Sequence, residues 1–88
     1  MTKQELKENS GVDIDSIFGN ENFKNEAKYI GWFEEIDGDQ THKVACLVEA
    51  NTEGYKYYEF IVSKDLSPDN VIDKTLKSDV PIFTDSIS

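Results

Sequence analysis

Eighty-eight residues make room for one domain with a small core, and eighteen acids against nine lysines leave a formal charge of −9. The chain has no arginine, which removes the bidentate reader of guanine and the planar clamp for phosphate. No apolar run approaches the ~18 residues of a membrane span, and Cys46 is the only cysteine, so no intrachain disulfide forms. With no apolar leader behind Met1 and a single thiol, the chain reads as cytoplasmic.

Residues 1–27 form a polar segment of short helical pieces. Thr2 and Glu5 have the spacing of a capping box, with Leu6 the one apolar residue behind them. Ile14, Ile17 and Phe18, stopped by Gly19, predict a turn or two of helix. Phe23 and Ala27 are spaced for another. These pieces either cover one face of a sheet or form a partner-binding segment that orders on contact.

Residues 28–64 predict a three-stranded antiparallel meander. Lys28–Ile36 is rich in aromatic and β-branched residues, and Asp37-Gly38-Asp39-Gln40 supplies a turn. Thr41–Ala50 is the second strand, Asn51-Thr52-Glu53-Gly54 the next turn, and Tyr55–Lys64 the third strand. Pairing Ala50 with Tyr55 sets Glu49 opposite Lys56, a favourable match of charge. Alternation then places Ile30, Trp32, Ile36, Ala45, Leu47, Tyr58, Phe60 and Val62 on one face. Tyr29, Phe33, Val44, Cys46, Val48, Tyr57, Glu59 and Ile61 fall on the other. The first is the better core, the second is too apolar to face water bare, and a bulge at Gly54 would exchange the faces of the third strand.

Residues 65–88 begin with a helix signal: Ser67 as N-cap, Pro68 at the first helical position and Asp69 in the first turn. Val71, Ile72 and Leu76 share a face of a helix ending near Lys77. Val80-Pro81-Ile82-Phe83 reads as extended, a fourth strand at an edge over about 80–84. The expected fold is α+β: a small meander of three or four strands, a short C-terminal helix and N-terminal helical turns.

The chemistry of catalysis does not assemble. His42 and Cys46, four apart on a strand, stand ~13 Å apart, too far to share a zinc ion or act as a nucleophile–base pair. Cys46 reads as a buried structural residue and His42 as a surface one. Asp13-Ile14-Asp15 and Asp37-Gly38-Asp39 open like calcium loops, but from Asp37 the glycine position of an EF-hand holds His42 and the closing position Val48. Glu34 and Glu35 are adjacent on a strand and point to opposite faces, so they do not form an acid–base pair. No catalytic residue and no cofactor or metal is expected.

Each third of the chain nets −3, so a folded surface rather than a tail presents the charge. Three functions follow from that surface. One is an acidic inhibitor or nucleic-acid mimic that occludes the basic surface of a nucleic-acid-handling protein, as a phage host-takeover or immunity-type factor does. Its contact residues would be Glu34, Glu35, Asp37, Asp39, Glu49, Glu53 and Glu59, with Tyr55 and Tyr57 as exposed aromatic anchors. The second is binding of single-stranded nucleic acid by stacking on Tyr29, Trp32, Phe33, Tyr55, Tyr57, Tyr58 and Phe60, which the −9 charge disfavours. The third is an assembly role through the second apolar face and the tail residues Ile82, Phe83 and Ile87. A basic protein is the expected partner, no membrane is involved, and the oligomeric state is open.

Overall fold

In a computed structural model, which describes residues 1–19 and 26–88, the alternating central sequence folds as the predicted meander. Strands β1 (Glu26–Asp37), β2 (Gln40–Asn51) and β3 (Gly54–Val62) are joined by a fourth, β4 (Phe83–Ile87), in the antiparallel order β1-β2-β3-β4. Helices α1 (Lys3–Ser10) and α2 (Ile14–Phe18) precede the sheet, and α3 (Pro68–Ser78) lies between β3 and β4. The α+β meander read from the sequence is the observed fold.

The turns are tighter than predicted. Asp37 pairs with Gln40 and Asn51 with Gly54, so each hairpin closes on two residues. Gly38, at φ 61°, opens the first loop in the positive-φ position that a two-residue hairpin demands. In the second, the Asn51 side-chain oxygen accepts from the Glu53 amide at 2.9 Å, an Asx turn that fixes the register locally. Ala50 therefore faces Tyr55 and Glu49 faces Lys56, and β2 and β3 pair without the bulge considered at Gly54.

The bulge lies instead in β1. Tyr29 pairs with Leu47 and Gly31 with Cys46, which leaves Ile30 as the extra residue. Gly31 sits at φ 150°, a conformation that side-chain-bearing residues avoid. The slip corrects the predicted faces at two positions: Tyr29 joins Ala45, Leu47 and Phe60, while Ile30 joins Cys46, Val48 and Tyr57. From Trp32 onward the predicted alternation holds, with Trp32 opposite Ala45 and Phe33 opposite Val44.

Both faces are covered, by different ends of the chain. On the back face Val71 of α3 is buried against Ala45, Leu47, Phe60 and Val62, with Ile72 and Leu76 beside it. On the front face Leu6 of α1 and Ile14 of α2 close over Cys46, Val48, Tyr57 and Ile87. The N-terminal pieces are thus part of the core, the first of the two roles foreseen for them. Thr2 caps α1 by accepting from the Glu5 amide at 3.0 Å, and Asp13 caps α2 by accepting from the Asp15 amide, so the first acid of that calcium-like motif starts a helix. Ser67 holds the N-cap position of α3, but its hydroxyl accepts from the Asn70 side chain and not from a helix amide. Backbone bonds Lys3 N to Ser88 O (3.1 Å) and Ser88 N to Met1 O (3.0 Å) clasp the two ends of the chain together.

Three boundaries differ from expectation. Phe23 lies outside the described residues, and Ala27, its predicted helical partner, is a β1 residue opposite Glu49. The third strand stops at Val62, short of Lys64. The fourth begins at Phe83 and runs to Ile87, because Pro81 has no amide to donate to a ladder.

Candidate functional site

The tip of the first hairpin projects past the rest of the sheet. Strand β3 reaches only Val62, opposite Lys43, so residues beyond Glu34 and Lys43 pair with each other alone. That leaves a two-stranded arm about 15 Å long, at ~3.3 Å per residue. From Trp32 to Thr41 every residue is exposed. The arm holds Glu34, Glu35, Asp37 and Asp39, with Lys43 at its base. Glu34 stands on the back side opposite Lys43, Glu35 on the front opposite His42, and Asp39 in the loop.

Lysines neutralise the other end of the molecule. Lys3 bonds Asp15 at 3.0 Å, Lys7 lies 3.9 Å from Asp13, Lys28 lies 3.6 Å from Glu26, and the Met1 ammonium is 3.0 Å from Asp85. Lys43 and Lys56 lie over the Trp32 and Tyr58 rings, at 5.0 and 5.3 Å from their centroids. Among the described residues Glu34, Glu35, Asp37 and Asp39 form no ion pair. A charge spread evenly along the sequence is therefore uneven in space, because Lys3, Lys7 and Lys28 form their ion pairs at or beside α1 and α2.

The other predicted contact residues scatter. Glu49 accepts from the Tyr58 hydroxyl at 3.0 Å, and Lys56 opposite it stacks on the same ring instead of closing an ion pair. Glu53 sits in the second turn, at the far end of the sheet from the arm. Tyr55 and Tyr57 are not the exposed anchors expected. Tyr55 is half-buried, 5.4 Å from the Phe18 ring, and Tyr57 is 7% exposed beneath α1 and α2. Burial raises the Tyr57 phenol far above its ordinary range, reinforced by hydrogen bonding with Cys46 and with Glu59, whose carboxylate accepts at 2.8 Å. Burial likewise pushes up the Cys46 thiol. Ile87 is core on the front face, so of the tail residues offered as an interface only Ile82 and Phe83 are exposed.

The aromatic residues do not form one platform. Trp32 and Phe33 are the exposed rings of that set, and they point to opposite faces. Among the described residues no three His, Cys, Asp or Glu side chains converge to hold a metal ion, and no helix is long and apolar enough to cross a membrane.

Part of the second apolar face expected from the sequence, together with Phe83 of the tail, stays bare as a floor beside the arm. Phe33, Ile61 and Phe83 share the front face and remain 40%, 43% and 45% exposed. Phe33, Val44 and Ile61 form one row across three strands, so the outer two shield Val44, which is fully buried. In the next row Gly31, Cys46, Glu59 and Phe83 follow one another, and the missing side chain at Gly31 leaves a hollow of about 450 Å³ under α1. A glycine inside an aromatic strand is the signal that marks both bulge and hollow. No protein-family description, curated protein or solved structure matches the chain.

Proposed function

We propose that this protein is a non-catalytic acidic binding protein that docks its β1–β2 arm on a basic surface. In its most concrete form it is an inhibitor or nucleic-acid mimic that occludes the binding groove of a nucleic-acid-handling protein. The observation that supports this reading is the cluster of four carboxylates on an exposed arm that form no ion pair among the described residues, while Lys3, Lys7 and Lys28 pair with acids elsewhere. Such a cluster attracts a positive partner over about a Debye length and competes with nucleic acid for the same cations.

The test is competition. A basic protein retained by this chain at low salt is expected to be released by duplex DNA, and Asp37→Lys with Asp39→Lys should slow its association about tenfold or more. Retention indifferent to DNA, or an unchanged on-rate in the double variant, refutes the reading.

A further inference from the structure

We propose that the front-face groove between the arm and β4 takes a short basic amphipathic segment of a partner protein, with apolar side chains on the floor and cations against the carboxylates. This rests on the proposed docking of a basic partner and names how that partner is held.

The groove is about 480 Å³, within the roughly 300–1,000 Å³ typical of ligand clefts. Its floor is Phe33, Ile61, Ile82 and Phe83, and carboxylates at Glu35, Asp37 and Glu59 line it. On the same face α1 and α2 cover Cys46 and Val48, whereas among the described residues no helix cluster extends over Ile61 or Phe33, which stay exposed. The hollow under α1 continues the groove, since Phe33 and Glu59 line both. From His42 to Cys46 the two together run ~13 Å along β2, the length of about nine helical or four extended residues.

Charge selects the occupant. A second copy of the chain would bring the same carboxylates to a self-complementary contact, where like charges repel. Nucleic acid would set phosphates against them. A purely polar cation would leave four apolar side chains wet, and a neutral apolar segment would leave the carboxylates without counter-charge. A segment with both characters satisfies the whole groove, as amphipathic helices do in apolar grooves elsewhere.

Two labelled peptides of about twelve residues and equal charge test this, one Leu/Lys amphipathic, the other Ser/Lys, by fluorescence anisotropy at about 0.15 M salt. The Leu/Lys peptide is expected to bind about tenfold tighter, or about 1.4 kcal/mol. Ile61→Thr and Phe33→Thr, which keep strand propensity, should each reduce that ratio to about threefold or less without weakening the Ser/Lys peptide. Circular dichroism of each variant checks that it folds. Equal binding of the two peptides, or a ratio the Thr variants do not move, overturns the groove. If Asp37→Lys still weakens the Ser/Lys peptide in that case, the docking arm stands and the groove alone falls. A dimer in sedimentation whose contact includes Ile61 also overturns the proposal, since a second copy would then be the occupant.

Discussion

Truncating Leu6 to Ala measures how firmly the N-terminal helix is fastened to the sheet. Leu6 is the one buried residue of α1, and an eight-residue helix has little stability of its own. The ion pairs Lys3–Asp15 and Lys7–Asp13 are about half exposed and contribute about 0–1 kcal/mol each. Leu6 therefore carries most of the attachment. Leucine-to-alanine changes in cores cost about 2–5 kcal/mol, and the hollow already beside Leu6 sets this one at the lower end, about 2–3 kcal/mol. The loss falls on local opening of α1, which uncovers Cys46. At 1.4 kcal/mol per tenfold, labelling of the Cys46 thiol by a disulfide reagent should quicken about 30- to 150-fold under native conditions. Its rate should depend only weakly on urea, because little surface is exposed in a local opening. Labelling at the wild-type rate would refute the assignment of α1 as the cover. A rate with the full urea dependence of global unfolding would show that α1 and the sheet open as one unit.

Three further outcomes are expected. Tyr57, Tyr58, Tyr29 and Cys46 all have their pKa raised in the fold, first by burial, so the stability they contribute is complete below their unfolded values of about 9 to 10. It is lost as pH rises further, by about 1.4 kcal/mol per pH unit for each group that ionises only when unfolded. Urea midpoints should therefore fall between about pH 9 and pH 11, less steeply in Tyr57→Phe, and an equal slope in that variant would contradict a neutral buried phenol. Thr75→Val should change stability by less than about 1 kcal/mol, since the buried Thr75 hydroxyl only back-bonds to the Val71 carbonyl; a larger loss by thermal melting would show that the hydroxyl holds α3 in place. The Asp37→Lys, Asp39→Lys variant should melt within about 0.5 kcal/mol of the parent, as expected for exposed sites without partners.

Much of the sheet was legible because its determinants are local. Asn51 and Gly54 close a two-residue turn through an Asx bond, and every pairing from Ala50–Tyr55 back to Lys43–Val62 follows from it by counting. The helix signals at Thr2, Gly19 and Pro68 are equally short-range. The acidity of the first hairpin was legible for the same reason: Glu34, Glu35, Asp37 and Asp39 flank one glycine turn. Tyr57 was misjudged as exposed because its burial comes from Leu6 and Ile14, more than forty residues away in the chain.

Alternation and turn chemistry by themselves determine that this chain is an antiparallel meander with acids along its first hairpin, since each strand residue takes its side from its neighbour and each turn from its own glycine or asparagine. Only the tertiary structure decides what those acids are free to do. Whether a lysine meets an acid depends on α1 and α2 folding back over the front face, and whether Phe33, Ile61 and Phe83 stay bare depends on where that cover ends. Both are distances between residues remote in the chain, which no periodicity encodes.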